Sequence, residues 1–450
     1  MRNRFVGLPC IVYLILSLTA ASGAQGQDNA AASPAVSFEE AVRTALSNAR
    51  EVRLAAHDVR ITTEGRTVAA ARRLPRLDAS TDYTALSEPP SAFILGSAIQ
   101  TAEKNIWRAR LTAEQTIFDF GRTRSRVDQA DARIDNAVRQ EGLARERQAL
   151  DVISAFLSAK RAEELRQVAE ESLATAKDHR RVAGDQYDFG VVAKNDVLAA
   201  DVQVANAESV LIVAENQVDL SRSRLALRMG YPGDRSVAPA PGPFPVPPEA
   251  APPLSESLRA ALEKRNELLA QGAIIREGEA AVSAARTEFT PTFFGQGGYS
   301  YETNDLNPHK SVFSILLGGK VNLFSGFADE ASLRQARLTV DRRKEALGKL
   351  QDEIALEVKA AHLFVAEAEK RKAVAEVAVA RAEENLRIQN DRYKEGLAIS
   401  TEVLDAQTLL TRAKVDRQNA AYDLHESRYS LLAARGELLD FLAPLIVAGR

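Results

Sequence analysis

The chain has 450 residues, 45% apolar and 26% charged, which suffices for one large or two ordinary domains and excludes a disordered chain. A formal net charge of −3 gives no electrostatic reason to bind nucleic acid. Its one cysteine, Cys10, excludes a disulfide framework and a thiolate metal site.

Arg2 and Arg4 form a basic start, Ile11 to Ala21 an apolar stretch and Ser22-Gly23-Ala24 a small-residue cleavage site, so residues 1–24 read as a secretory signal peptide. The competing reading is a membrane anchor. An apolar run of about a dozen residues is too short to cross a bilayer, and no second run is expected. Cleavage removes Arg2, Arg4 and Cys10, leaving a thiol-free chain with a net charge of −5. Residues 25–36 are small and polar and are expected to be a flexible N-terminus.

A first repeat is expected over residues 37–230. Ser37 followed by Glu40 is a capping box, and Phe38, Val42, Leu46, Val52, Val59 and Val68 keep roughly helical spacing until Pro75. The period then falls to two: Leu77, Ala79, Thr81 and Tyr83 alternate with Asp78, Ser80 and Asp82, and Trp107, Ala109, Leu111 and Ala113 return on a second run. Strands are expected at about 76–86 and 106–118, joined by a long loop. Helical spacing resumes over 121–186, a helix about 100 Å long whose apolar stripe is rich in alanine, as in a close-packed coiled coil. A turn at 187–195 leads into a helix ending at Met229, where Gly230 and Pro232 stop it. Residues 231–253, with their many prolines, form a linker that packs only as an extended strap.

Residues 254–439 repeat this order. Pro291 answers Pro75, strands are expected at about 292–301 and 311–324, and a long helix at 327–392 leads into a turn at 393–400 and a helix to 435, before a C-terminal tail at 440–450. The turns superpose: Tyr187 on Tyr393, Gly190 on Gly396, Asp196 on Glu402, Val197-Leu198 on Val403-Leu404. The offset drops from 216 to 206 between the prolines and the turns, and the ten missing residues fall in the loop between the strands, where deletion costs least.

Four alternating runs of about ten residues have the length to cross a bilayer obliquely. Aromatic residues gather at their ends, Phe118, Phe120, Phe294 and Phe324 towards the helices and Tyr83, Trp107, Tyr299, Tyr301 and Phe313 towards the loops, as two girdles would. The alternative is a soluble four-stranded sheet covered by a helix, its aromatic residues forming core. Four strands cannot close a membrane barrel alone, because their edges would stay unpaired in lipid, so a barrel requires several copies.

The duplication, the paired prolines, IFDFGR and LFSGFA leading into the long helices, and the two Tyr-x-x-Gly turns resemble the outer membrane efflux protein family, the TolC-type channels, over roughly Ser37 to Leu439. The resemblance implies a mainly α fold with a membrane β-barrel portion: long coiled-coil helices forming an α-barrel, and four transmembrane β-strands per chain closing as a twelve-stranded barrel in a homotrimer. It implies a duct in the outer membrane with a periplasmic helical extension, serving an inner-membrane transporter through a periplasmic adaptor in efflux or type I secretion.

It also implies a periplasmic gate lined by acidic rings, onto which Glu402 and Asp405 map, with Asp196, Tyr187 and Tyr393 beside them; two solvated helix-start acids would look the same. Relatives often carry a basic residue just after the turn, where this chain has Ala398. Gly190 and Gly396 suit a positive φ, and the tips at Phe189, Gly190, Val191, Gly396 and Leu397 are candidates for adaptor docking. His57, His179, His309, His362 and His425 lie singly, read as surface residues, and give no metal spacing; no enzyme motif and no cofactor site is found. A protein-secretion or metal-efflux duct, or a periplasmic coiled-coil adaptor, are the rival readings.

Overall fold

The computed structural model describes residues 35–94 and 96–448. The expected signal peptide and most of the expected flexible N-terminus lie outside the described residues. Residues 35–36 do not follow that expectation: β1 (Ala35–Val36) pairs in parallel with Ala238 and Pro239 of the proline-rich linker. Amides of the strap tie it down: Ala240 donates to the Val36 carbonyl at 2.8 Å and Val237 to the Arg222 carbonyl at 3.4 Å.

The Ser37 hydroxyl accepts from the Glu40 amide at 3.2 Å and opens α1 (Phe38–Asn48). The sequence suggests one continuous helix to the first strand, but Ala49, with ψ 135°, breaks it and α2 (Arg50–Ala71) starts afresh. Gly230 explains the break. It caps the return helix at φ +85°, and a β-carbon there would lie 2.8 Å from the Asn48 carbonyl carbon and oxygen, so the two backbones occupy one corner.

β2 (Arg76–Ala85) follows. The expected long loop after it holds a small hairpin of its own, β3 (Ser91–Ile94) on β4 (Ser97–Gln100). β5 (Asn105–Phe118) returns along β2 with Tyr83 opposite Trp107. A tight corner then turns the chain from sheet to helix, with Phe120 and Gly121 both at positive φ. The Asp119 carboxylate accepts from the Gly121 and Thr123 amides and the Thr123 hydroxyl, satisfying donors that a helix start leaves open.

From there run α3 (Arg122–Asp188), 67 residues and about 100 Å long, and α4 (Lys194–Arg228). Ala149, Ala159, Ala162, Ala169, Ala176 and Ala183 are buried on α3, the small knobs that let its neighbours approach.

The linker contributes β6 (Ala238–Pro239); after it the second repeat opens with α5 (Leu254–Lys264) and α6 (Asn266–Arg286), again broken, this time at Arg265 against the backbone corner of Gly436. β7 (Thr292–Glu302) and β8 (Ser311–Lys320) complete a four-stranded antiparallel sheet in the order β2-β5-β7-β8. β8 ends four residues before the expected boundary. Val321 to Phe327 form a second corner, with Gly326 and Phe327 at positive φ and the Ser325 hydroxyl accepting from the Asp329 amide. α7 (Ala328–Lys394) and α8 (Ser400–Ala434) match α3 and α4 at 67 and 35 residues. The expected tail is a helix, α9 (Leu438–Ala448).

α3 runs through the middle of the helical body, flanked by α2 and α6 along one half and by α4 and α8 along the other, while α7 lies beyond α6 and α8. The largest core lies where the halves meet. Phe38, Phe156, Phe244 and Tyr429 pack with ring centroids 5.4–6.3 Å apart, Leu438 and Leu442 of α9 join them, and the Tyr429 hydroxyl donates to the Pro245 carbonyl. This contact fastens the proline-rich strap.

α4 is also, among the described residues, the one helix apolar and long enough to cross a membrane by composition, contrary to the expectation of no second apolar run. It packs along α3 and leaves Val202, Val210, Ile212 and Val213 exposed.

Candidate functional site: the helix tips and the bare sheet

The two helix turns have one geometry. At the first, the Gly190 amide bonds the Tyr187 carbonyl at 2.9 Å and the Val191 amide the Gln186 carbonyl at 2.9 Å; at the second, Gly396 bonds Tyr393 at 3.1 Å and Leu397 bonds Arg392 at 2.8 Å. Each closes a helix through a residue at φ +72°, which glycine adopts freely, as the sequence leads one to expect. The tips are apolar and open: Phe189 is 85% exposed, and Val191, Leu397 and Ile399 are exposed too.

Side chains break the symmetry of the turns. Tyr393 is 3% exposed whereas Tyr187 is 43% exposed, so only one tyrosine is part of a packed junction. The Tyr393 ring lies 5.1 Å from the buried imidazole of His179, and His179 Nε2 is 2.9 Å from the Ser400 hydroxyl. The Tyr393 hydroxyl has no well-aligned partner; burial first, then the Asp196 carboxylate, pushes it above the ordinary tyrosine value, and the nearby Ser400 hydroxyl offsets part of that rise. Burial holds the His179 imidazole below its ordinary value, with Asp196 opposing. Four helix ends thus meet at one polar cluster wrapped by Leu386, Val403 and Ala406.

His179 is therefore no surface residue, nor are His362 and His425 fully so. His362 Nε2 lies 2.9 Å from Ser257, and His425 packs edge-on against Phe244 at 5.1 Å. Sequence spacing treats them as surface because isolated histidines on long helices give no sign of which neighbour covers them. His57 and His309 are exposed.

Glu402 and Asp405 stand at the start of α8, but they differ. Glu402 pairs with Arg392 at 3.5 Å, and Arg392 also donates to the Leu397 carbonyl at 3.2 Å; Asp405 is exposed and has no ion pair among the described residues. The basic side chain beside Glu402 thus stands before the turn, not after it at Ala398. The signal was present, since Arg392 occupies the place of Gln186 in the first turn, and Gln186 donates instead to the Tyr393 carbonyl at 3.3 Å.

At the opposite end, cross-strand register sorts the sheet into two faces. Leu77 and Tyr83, Trp107 and Leu111, Tyr299 and Tyr301, Phe313, Ile315 and Leu317 share one face and are all exposed. Arg76, Asp78, Asp82, Arg108, Arg110, Glu114, Gln296 and Glu302 share the other. A bulge between Thr116 and Phe118 brings Phe118 opposite Phe293, whereas Phe294, expected with the helix-proximal aromatic residues, lies on the polar face over Gly318. Phe120 and Phe324 sit in the corners outside the strands, where each stacks edge-on with a neighbouring phenylalanine. β2 and β8 each have a free edge.

A sheet with one bare apolar face, continuous with helical hairpins about 100 Å long, is the build of an outer membrane channel subunit. The chain belongs to the outer membrane efflux protein family, which matches residues 41–231 and again 257–437 and places the protein in the outer membrane. Protein CyaE of Bordetella pertussis is 26% identical over 345 residues, 73% of this chain and 70% of that protein. A membrane protein from Pseudomonas aeruginosa superposes with a TM-score of 0.77 at 19% identity, over 89% of this chain and 93% of that one. VceC of Vibrio cholerae gives 0.75 at 19%, over 89% and 96%. At these identities the solved structures establish the fold.

Proposed function

We propose that the chain is an internally duplicated subunit of a homotrimeric exit duct of an efflux or type I secretion system. Its strands close a twelve-stranded barrel in the outer membrane, and its helices form a tunnel into the periplasm. The observation that carries this reading is the agreement of the lateral edges. β2 and β8 are the unpaired edges of the sheet, and the helices on the same two sides also carry bare apolar residues: Leu54, Ile61 and Val68 on α2 and the α4 stripe on one, Leu338, Leu356, Phe364 and Val374 on α7 on the other. Each copy thus offers one complete edge and needs the other, the condition for a closed ring of identical subunits. Ring closure also pairs every strand edge, which lipid demands.

In this ring the polar sheet face lines the lumen. The apolar face meets lipid, with Tyr83, Trp107, Tyr299, Tyr301 and Phe313 forming the outer girdle and Phe118, Phe120 and Phe324 marking the inner one. The helix tips form the periplasmic gate, where three Asp405 carboxylates draw cations towards the mouth. The apolar tip around Phe189, Gly190, Val191, Gly396 and Leu397 receives a periplasmic adaptor, which connects the duct to an inner-membrane transporter. Small molecules are the favoured cargo; no group of metal-ligating residues among the described ones argues for metal efflux.

The test is fractionation followed by native mass measurement in mild detergent. The mature protein is expected with the outer membrane and as a trimer; recovery as a soluble periplasmic monomer would refute the reading. Asp405→Asn is expected to lower cation preference in planar-bilayer conductance.

A further inference from the structure

Where the helices join the sheet, a cavity of about 880 Å³ opens on the polar side of the strands. Four arginines line it: Arg72 at the end of α2, Arg76 at the start of β2, and Arg122 and Arg126 one turn apart on α3. Two carboxylates, Glu114 and Asp119, line it as well, so its wall carries a net formal charge of +2.

The fixed groups do not neutralise this charge evenly. Asp119 is occupied by the three donors of the α3 start. Arg122 is held by Glu288 at 3.3 Å and by the Thr287 carbonyl at 2.7 Å, and Arg76 by Asp78 at 2.9 Å. The Arg72 amide closes α2 on the Ala70 carbonyl, but the guanidinium groups of Arg72 and Arg126 have neither a hydrogen bond nor an ion pair among the described residues. Burial, then the charges of Arg72 and Arg122, disfavours the protonated form of Arg126, and the carboxylates of Glu288 and Asp119 oppose this only in part. Guanidinium forks grip planar or tetrahedral oxyanions through paired N–H donors, and a helix start beside them adds a favourable dipole.

We propose that Arg72 and Arg126, backed by Arg122, form an anion-binding station in the wall of the duct, receiving a phosphate or carboxylate group carried by a solute in the lumen. The lumenal placement rests on the duct reading above; the binding does not. Three copies at one level give the barrel base a basic collar, opposite in sign to the acidic mouth at the far end of the helices.

Pyrophosphate is the probe. Calorimetric titration of the full-length protein in zwitterionic detergent at low ionic strength is expected to show saturable binding at one site per chain, weakened at least tenfold in Arg126→Gln and in Arg72→Gln. Added phosphatidylglycerol is expected not to compete. Absence of saturable binding by the parent, or binding by both variants as tight as the parent's, would overturn the station. Displacement by phosphatidylglycerol would reassign it to a lipid headgroup. Loss of the trimer in both variants, without any pyrophosphate binding by the parent, would mean instead that the two guanidinia pair with a carboxylate of the adjoining copy, and would equally overturn it. Parent conductance across neutral bilayers without pyrophosphate tests the duct separately, so the two failures are distinguishable.

Discussion

Replacing Arg392 by Gln, the residue that stands at the same place in the first turn, removes the charge that ties Glu402 across the second turn while keeping most of the side-chain volume. The pair is 3.5 Å apart and its side chains are 46% and 42% exposed, so it contributes in the surface range, about 0.2–1 kcal/mol. If the tips move together in a ring of three, the loss sums to about 0.6–3 kcal/mol, a roughly 3- to 150-fold rise in the ratio of open to closed gates. Single-channel recording in planar bilayers reads this directly as open probability. Glu402→Gln is expected to produce a similar rise, and the double variant little more than either. The effect should shrink in about 1 M salt, where screening acts within roughly 3 Å. Additive single effects, or a rise indifferent to salt, would refute the assignment of this pair as a latch.

Acid should loosen the junctions that bury histidine. His179, His362 and His425 are all held below the ordinary histidine value of 6.5, chiefly by burial. The unfolded chain therefore binds more protons just below that value, so this share of stability is complete above it and is lost as pH falls through the lowered folded values. A lower melting temperature at about pH 5.5 than at 7.5 is expected, with a shallower dependence in His179→Gln; an unchanged slope in that variant would acquit the tip junction. At the corners, Gly230→Ala forces a β-carbon onto the Asn48 backbone at φ +85°, whereas Gly396→Ala at φ +72° meets open space. The second should cost about 1–2 kcal/mol by chemical denaturation and the first clearly more, and equal losses would contradict the corner contact.

The elements that sequence marks by period were legible: both long helices, all four strands of the large sheet and both glycine turns fall within a few residues of expectation. Periodicity could not foresee what depends on a distant partner. The breaks at Ala49 and Arg265 arise because Gly230 and Gly436, far along the chain, press against them. The hairpin Ser91–Gln100 is too short to establish a period, and α9 followed a stretch that looked like an ordinary tail. At the tips, turn residues could be aligned by repetition, yet the burial of Tyr393 but not Tyr187, and the pairing of Glu402 but not Asp405, follow from which helix lies alongside, and a repeat alignment treats both copies alike. Nothing in the spacing of the turn tells that the Arg392 guanidinium reaches across to Glu402.

The two free edges of the sheet bear on inheritance and dosage as well as on architecture. In a ring built head to tail, every subunit is at once donor and acceptor, so a copy with a sound β2 edge and a spoiled β8 edge can still be recruited. Once recruited it leaves a gap that no other contact seals. Damage at an edge would then be dominant, with one defective allele disabling ducts built mostly from healthy chains, whereas loss of the whole chain would merely reduce their number.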